Sequence, residues 1–128
     1  MSDYTITNLD DVEDIAASHG VADAGVIRFP REAVGAQATG FAHVRLNPGK
    51  RHPFPHRHEQ AEEVYIVLSG SGQVKLEDEL RDLAARDIVR VAPHVTRGFE
   101  AGPDGLELLA FGARHAGDGE IVQDFWDA

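Results

Sequence analysis

His56-Arg57-His58-Glu59-Gln60-Ala61-Glu62-Glu63-Val64-Tyr65-Ile66-Val67-Leu68-Ser69-Gly70-Ser71-Gly72 joins a His-x-His pair, a carboxylate and an apolar run without interruption. Residues two apart in a strand point to one face. His56 and His58 therefore project side by side, close enough to share one ion. Glu63 follows a short turn and opens the next run. A hairpin at that turn would set its carboxylate opposite the two rings. Two imidazoles and one carboxylate form a facial ligand set that leaves further positions of an octahedral ion open. Residues 64–68 are apolar throughout and read as a central strand covered on both faces. Gly70-Ser71-Gly72 reads as a hairpin turn.

Outward from this stretch the same texture continues. Short β-like runs at residues 26–29, 40–46, 55–59, 63–68, 73–77, 87–91, 97–100 and 106–112 are separated by Gly, Pro and Asp. Strands of this length with almost no helix between them imply an all-β antiparallel sandwich or barrel. Before them, residues 4–7 read as a short strand. Asp10 or Asp11 then caps one short helix that carries Val12, Ile15 and Ala16 and stops at Gly20. The expected organisation is one domain: residues 1–24 form a strand and short helix packed on a barrel of residues 25–128. Residues 116–120 read as a loop. Residues 121–126 read as a closing segment whose Phe125 and Trp126 pack on the outside of the barrel or at a subunit interface.

Composition narrows the chemistry. The chain has 128 residues and no cysteine, so disulfides, thiolate metal sites and a cysteine nucleophile are excluded together. A metal held by His, Asp and Glu would be iron, manganese, nickel, copper or zinc. The 22 acidic and 12 basic residues give a net charge of −10, which disfavours nucleic acid and anionic membranes as partners. The first residues lack the basic-then-apolar pattern of a leader, and no run reaches the roughly 18–20 apolar residues of a membrane span. The expected location is the cytoplasm. No phosphate-binding glycine loop and no Gly-x-Ser-x-Gly elbow is present.

The spacing Gly49, six residues, His56-Arg57-His58, four residues, Glu63, six residues, Gly70 resembles the first conserved motif of the cupin superfamily. The family's usual gap after its first glycine is five residues. The resemblance covers roughly residues 35–113 and implies a double-stranded β-helix, or jelly-roll, barrel. It also implies that His56, His58 and Glu63 are the metal ligands. Glu62 is the competing carboxylate, but it points to the opposite face. In the second motif of such proteins a histidine supplies a fourth ligand after a Pro-x-Gly turn. The matching stretch runs from Arg86 to Phe99. Pro93 fits, His94 stands at the glycine and Arg97 at the histidine.

Three readings of that departure compete. A metal sits on His56, His58 and Glu63 alone; or His94 swings in as fourth ligand; or Arg97 pairs with Glu63 and no metal binds. Arg97 could equally anchor the carboxylate of an acidic ligand beside a metal. Tyr65, Val67 and Phe99 share strand parity with Glu63 and Arg97 and would line the surrounding cavity as substrate contacts. Phe54 and Phe111 are weaker candidates for its mouth. His52 reads as a rim residue, His19 and His115 as surface residues. His43 and Arg45 read as the outward set of their strand.

The resemblance implies a metal-dependent small-molecule enzyme or binder, with a dioxygenase-type reaction as the favoured class and a sugar-acid isomerase or epimerase as the second. The rival is a non-catalytic ligand-binding or sensor module. Exposed sheet edges imply a homodimer.

Overall fold

In the computed structural model, which describes residues 3–127, eight strands form a curled antiparallel barrel of the jelly-roll type. They are β1 (Gly25–Arg28), β2 (Thr39–Leu46), β3 (His56–His58), β4 (Glu63–Leu76), β5 (Glu79–Ala84), β6 (Ile88–Val91), β7 (Arg97–Ala113) and β8 (Gly119–Ile121). β7 is the spine. It pairs with β2 along the full length of β2, with both halves of β4, and with β3 at His56↔Arg97. β6 and β5 pair with the first and second halves of β4.

The runs at 63–68 and 73–77 are one strand, and so are those at 97–100 and 106–112. Gly70-Ser71-Gly72 is therefore not a hairpin turn. It is the place where β4 slips register against β7 and changes which face looks inward. Tyr65 and Val67 face the core before it and Val74 after it. Glycine is required there by contact: a Cβ on Gly70 would lie 2.1 Å from the Gly105 carbonyl oxygen, and Gly70 itself has a φ of +80°. The true hairpin is Glu77-Asp78, between Leu76 and Glu79. The β5 strand, Glu-Leu-Arg-Asp-Leu-Ala, escapes a periodicity reading because only Leu83 is buried; it is a charged edge strand.

Residues 64–68 are central in pairing but not covered on both faces. Tyr65 and Val67 are buried, Val64 and Ile66 half-buried, and Leu68 exposed. The core joins Val44, Leu46, Tyr65, Val67, Val74, Phe99, Leu106 and Leu108. As expected, Val44 and Leu46 face inward. His43, on the other face, is nevertheless only 1% exposed, because Glu107 and Arg28 enclose it at 2.8 and 3.3 Å.

Residues 4–7 form no strand. The expected single helix is broken into a 3-10 turn, Leu9–Asp11, and α1, Ile15–Ser18. Their caps are Asn8 and Asp14, not Asp10 or Asp11, because those two side chains accept the first free N–H groups. Asp14 Oδ1 also accepts from the Ile27 N–H at 3.0 Å and so ties α1 to β1. The Ile27 hydrogen bond, opposed by burial and helped by Ala16, holds its carboxyl below the ordinary value of 3.8. Asp14→Ala should cost about 1 kcal/mol at neutral pH by urea unfolding. A depressed carboxylate stabilises above its unfolded pKa, so the difference should close as pH falls below 3.8.

A second short helix, α2 (Arg31–Val34), was missed by the sequence reading; it follows Pro30 and ends at Gly35, which is left-handed at φ +74°. The C-terminal end closes on the barrel as expected. Phe125 is buried against Gly98, and its carbonyl and ring hold the buried Lys75 ammonium. No helix among the described residues is long and apolar enough to cross a membrane.

Candidate metal centre

β3 presents His56 and His58, and β4 begins with Glu63. The route by which they meet differs from the expected hairpin. β3 and β4 share no ladder: β3 pairs with β7 and β8, and Glu63 reaches across the barrel interior. Its Oε1 lies 3.1 Å from both His56 Nε2 and His58 Nε2. One ligand atom from each of the three residues falls within 4.8 Å of the others, and no further His, Asp or Glu joins them among the described residues. His94 is exposed in the turn before β7 and stands apart from the group.

The second nitrogen of each ring has its own neighbour. His56 Nδ1 faces the Phe54 carbonyl oxygen at 3.1 Å, and a carbonyl only accepts, so Nδ1 carries the hydrogen. His58 Nδ1 lies 3.2 Å from Asp118 Oδ2, a charge contact without hydrogen-bond geometry. The Nε2 atoms of both rings face the Glu63 carboxylate. Neither His58 nitrogen makes a hydrogen bond of good geometry although both are buried. Two imidazole nitrogens and a carboxylate oxygen converge in one pocket, and this donor set fits a divalent ion.

The fourth corner belongs to Arg97, which is fully buried. Its Nη1 donates to Glu63 Oε1 at 2.7 Å, Nε to the Val95 carbonyl at 2.9 Å, and Nη2 to the Ala92 and Pro93 carbonyls at 2.9 and 3.3 Å. Tyr65 Oη donates to the same Glu63 oxygen at 2.5 Å. Burial pushes the Glu63 carboxyl up, but hydrogen bonds from His56, His58 and Tyr65 outweigh it and hold it well below the usual range. Burial and the neighbouring carboxylate raise the Tyr65 hydroxyl, so it stays protonated.

The group stands in the wall of a cavity of about 410 Å³. Tyr65 and Phe99, with ring centroids 4.7 Å apart, line it as expected, whereas Val67 lies in the core beneath. Phe54, Val44 and Leu108 add apolar surface. Phe111 is exposed outside it, and His19 is exposed but reaches its edge. His52 lines the cavity as well. Burial, with help from His56, lowers it to about 4, so it is neutral, and its Nδ1 accepts from the Phe54 N–H at 3.0 Å.

Asp118 carries a role that the sequence did not reveal. It is buried, and its two oxygens accept from the Glu59, Gln60 and Ala61 N–H groups at 2.9–3.0 Å while facing His58. Burial raises its carboxyl, and those three donors together with His58 bring it below the ordinary value. One side chain thus shapes the turn between β3 and β4 and stands against a candidate ligand, His58. Asp118→Asn should weaken metal affinity about 10–100-fold in a chelator competition.

A family model for the cupin domain matches residues 42–111. Among solved structures, a cupin protein from Bacteroides fragilis is 23% identical, with a TM-score of 0.71, 98% of this chain covered and 95% of that one. A putative sugar phosphate isomerase from Acidithiobacillus ferrooxidans is 28% identical, with a TM-score of 0.66, 75% of this chain covered and 64% of that one. Oxalate decarboxylase from Bacillus subtilis is 19% identical, with a TM-score of 0.75; the match covers 98% of this chain and 34% of that one. No curated protein matches the sequence.

Proposed function

The chain belongs to the cupin family, and from that premise we propose that it holds one divalent transition-metal ion on His56, His58 and Glu63 and presents it to a small molecule in the adjoining cavity. The observation that carries the reading is the convergence of one ligand atom from each of His56, His58 and Glu63 within 4.8 Å of one another. When bound, the ion supplies Lewis acidity and open coordination positions.

The chain's own residues supply the rest. Glu63 is kept ionised by its donors. Arg97 and the protonated Tyr65 hold that carboxylate in one place. The apolar walls exclude water and select ligands with an apolar body. Three protein ligands leave room for substrate and dioxygen together, which supports a dioxygenase-type reaction. The structural neighbours carry names as different as isomerase and decarboxylase, so the fold does not choose the chemistry. For assembly the proposal is a homodimer, supported by the exposed Leu68, Ile88 and Phe111 on the outer sheet face.

A second reading is a metal-free ligand-binding module. It is favoured by the Arg97–Glu63 contact, which already places one positive charge in the pocket. Elemental analysis of protein purified without chelator separates the two. The metal-dependent reading expects about one equivalent of a transition metal. Less than about a tenth of an equivalent in protein offered each candidate metal would leave the metal-free reading standing.

A further inference from the structure

We propose that a second, smaller cavity beside Glu63 is an anion subsite, formed by Arg31, Arg114 and His115, that takes the carboxylate of a ligand whose apolar body lies in the larger cavity. The inference rests on the small-molecule reading of the site given above. The smaller cavity, of about 230 Å³, shares Phe29, Ala42, His58 and Glu63 with the larger one, so the two meet at the ligand group.

Their chemistry differs. The only arginine lining the larger cavity is Arg97, whose donors are committed to Glu63 and three backbone carbonyls. In the smaller cavity the arginines are available. The Arg114 side chain has no ion pair or hydrogen bond among the described residues. Arg31 donates to the Ala36 carbonyl at 3.1 Å, and its one acidic partner, Glu32, is 86% exposed at its side chain and 3.3 Å away. An exposed pair of that kind competes weakly with an incoming anion.

The carboxylates lining the smaller cavity are Glu63 and Asp118, and both are already satisfied, one by Arg97 and the other by three backbone N–H groups. Neither carboxylate pairs with Arg31 or Arg114 among the described residues, so both guanidinium groups can turn to an incoming anion in a chain of net charge −10. Such a chain repels anions at long range, and screening within about 10 Å lets local cations decide where one settles. The ligand class is an amphiphilic monocarboxylate, with its charged end toward Arg31 and Arg114 and its hydrocarbon against Phe54, Phe99 and Leu108.

The test is a calorimetric titration of metal-loaded protein with straight-chain carboxylates from acetate to octanoate, each compared with the primary alcohol of equal length. At least one acid should bind about tenfold or more tightly than its alcohol. Arg31→Gln/Arg114→Gln should bring acid and alcohol within about threefold of each other at unchanged metal content. Arg114→Gln alone, at an exposed position, should lose part of the preference and guards against a folding defect. Acids and alcohols binding alike, or no member binding, would overturn the proposal. A preference that survives the double variant would assign the carboxylate to the ion and overturn it too. Metal content is read separately: wild type without metal defeats the metal-dependent reading, while an arginine-dependent preference for acids would still establish the subsite.

Discussion

His58→Ala is expected to take the protein from about one equivalent of bound transition metal to less than about a tenth, with the fold retained. The imidazole is one of three proposed ligands, and it is the one that stands against a buried carboxylate, Asp118, at 3.2 Å. Losing it leaves a two-ligand site beside a guanidinium, which does not hold a dication. His52→Ala should leave metal content unchanged. His52 lines the same cavity, but its Nδ1 already accepts the Phe54 N–H and it stands outside the convergent group. Measured side by side by elemental analysis after gel filtration, equal losses in the two variants would show that the ligand set is misassigned.

Arg97→Met should cost about 3–5 kcal/mol of unfolding free energy in chelator-treated protein, a large part of the stability of a domain this size. Removing the guanidinium leaves the Glu63 carboxylate, 18% exposed, without its permanent cation. It also strips donors from the Val95, Ala92 and Pro93 carbonyls. Arg97→Lys should recover only part of the loss, because one ammonium cannot span Glu63 and three carbonyls on opposite sides. Saturating metal should shrink the deficit by giving Glu63 another cation.

The sign with pH follows from the depressed Glu63 carboxyl. Its stabilisation is present above the ordinary glutamate value of 4.5 and lost as pH falls toward the lower folded value. The gap between wild type and Arg97→Met should therefore narrow in acid. Urea unfolding across pH checks both claims, and a loss below about 1 kcal/mol at neutral pH would reduce Arg97 to the rank of a surface pair.

The barrel was legible because its inward positions alternate wherever a strand is straight. Residues 40–46 and 88–91 needed nothing more. The reading failed where the strands bend. Gly70-Ser71-Gly72 has the composition of a turn, yet it lies inside β4, where the facing Gly105 and Glu100 backbones explain the two missing side chains. Charged β5 has no apolar alternation to find. At the site, His56, His58 and Glu63 were visible because their residue types and spacing are local. The hairpin invoked to join them was wrong, but barrel closure delivers the same convergence. Asp118 was invisible because its partners lie far away in sequence and a lone aspartate in a Gly-Asp-Gly loop reads as a turn residue. His43 shows the converse: a polar residue on the outward face is still enclosed when strand neighbours supply its hydrogen bonds.

The order of these residues along the chain also bears on synthesis. His58 leaves the ribosome long before Asp118, the carboxylate it stands against, and Arg97 emerges between the two. An ion captured by the nascent His-x-His segment would lack the Asp118 contact and the completed pocket, so loading of the proposed site belongs after the barrel has closed. The barrel builds the site, in contrast to small metal-nucleated domains in which the ion builds the fold.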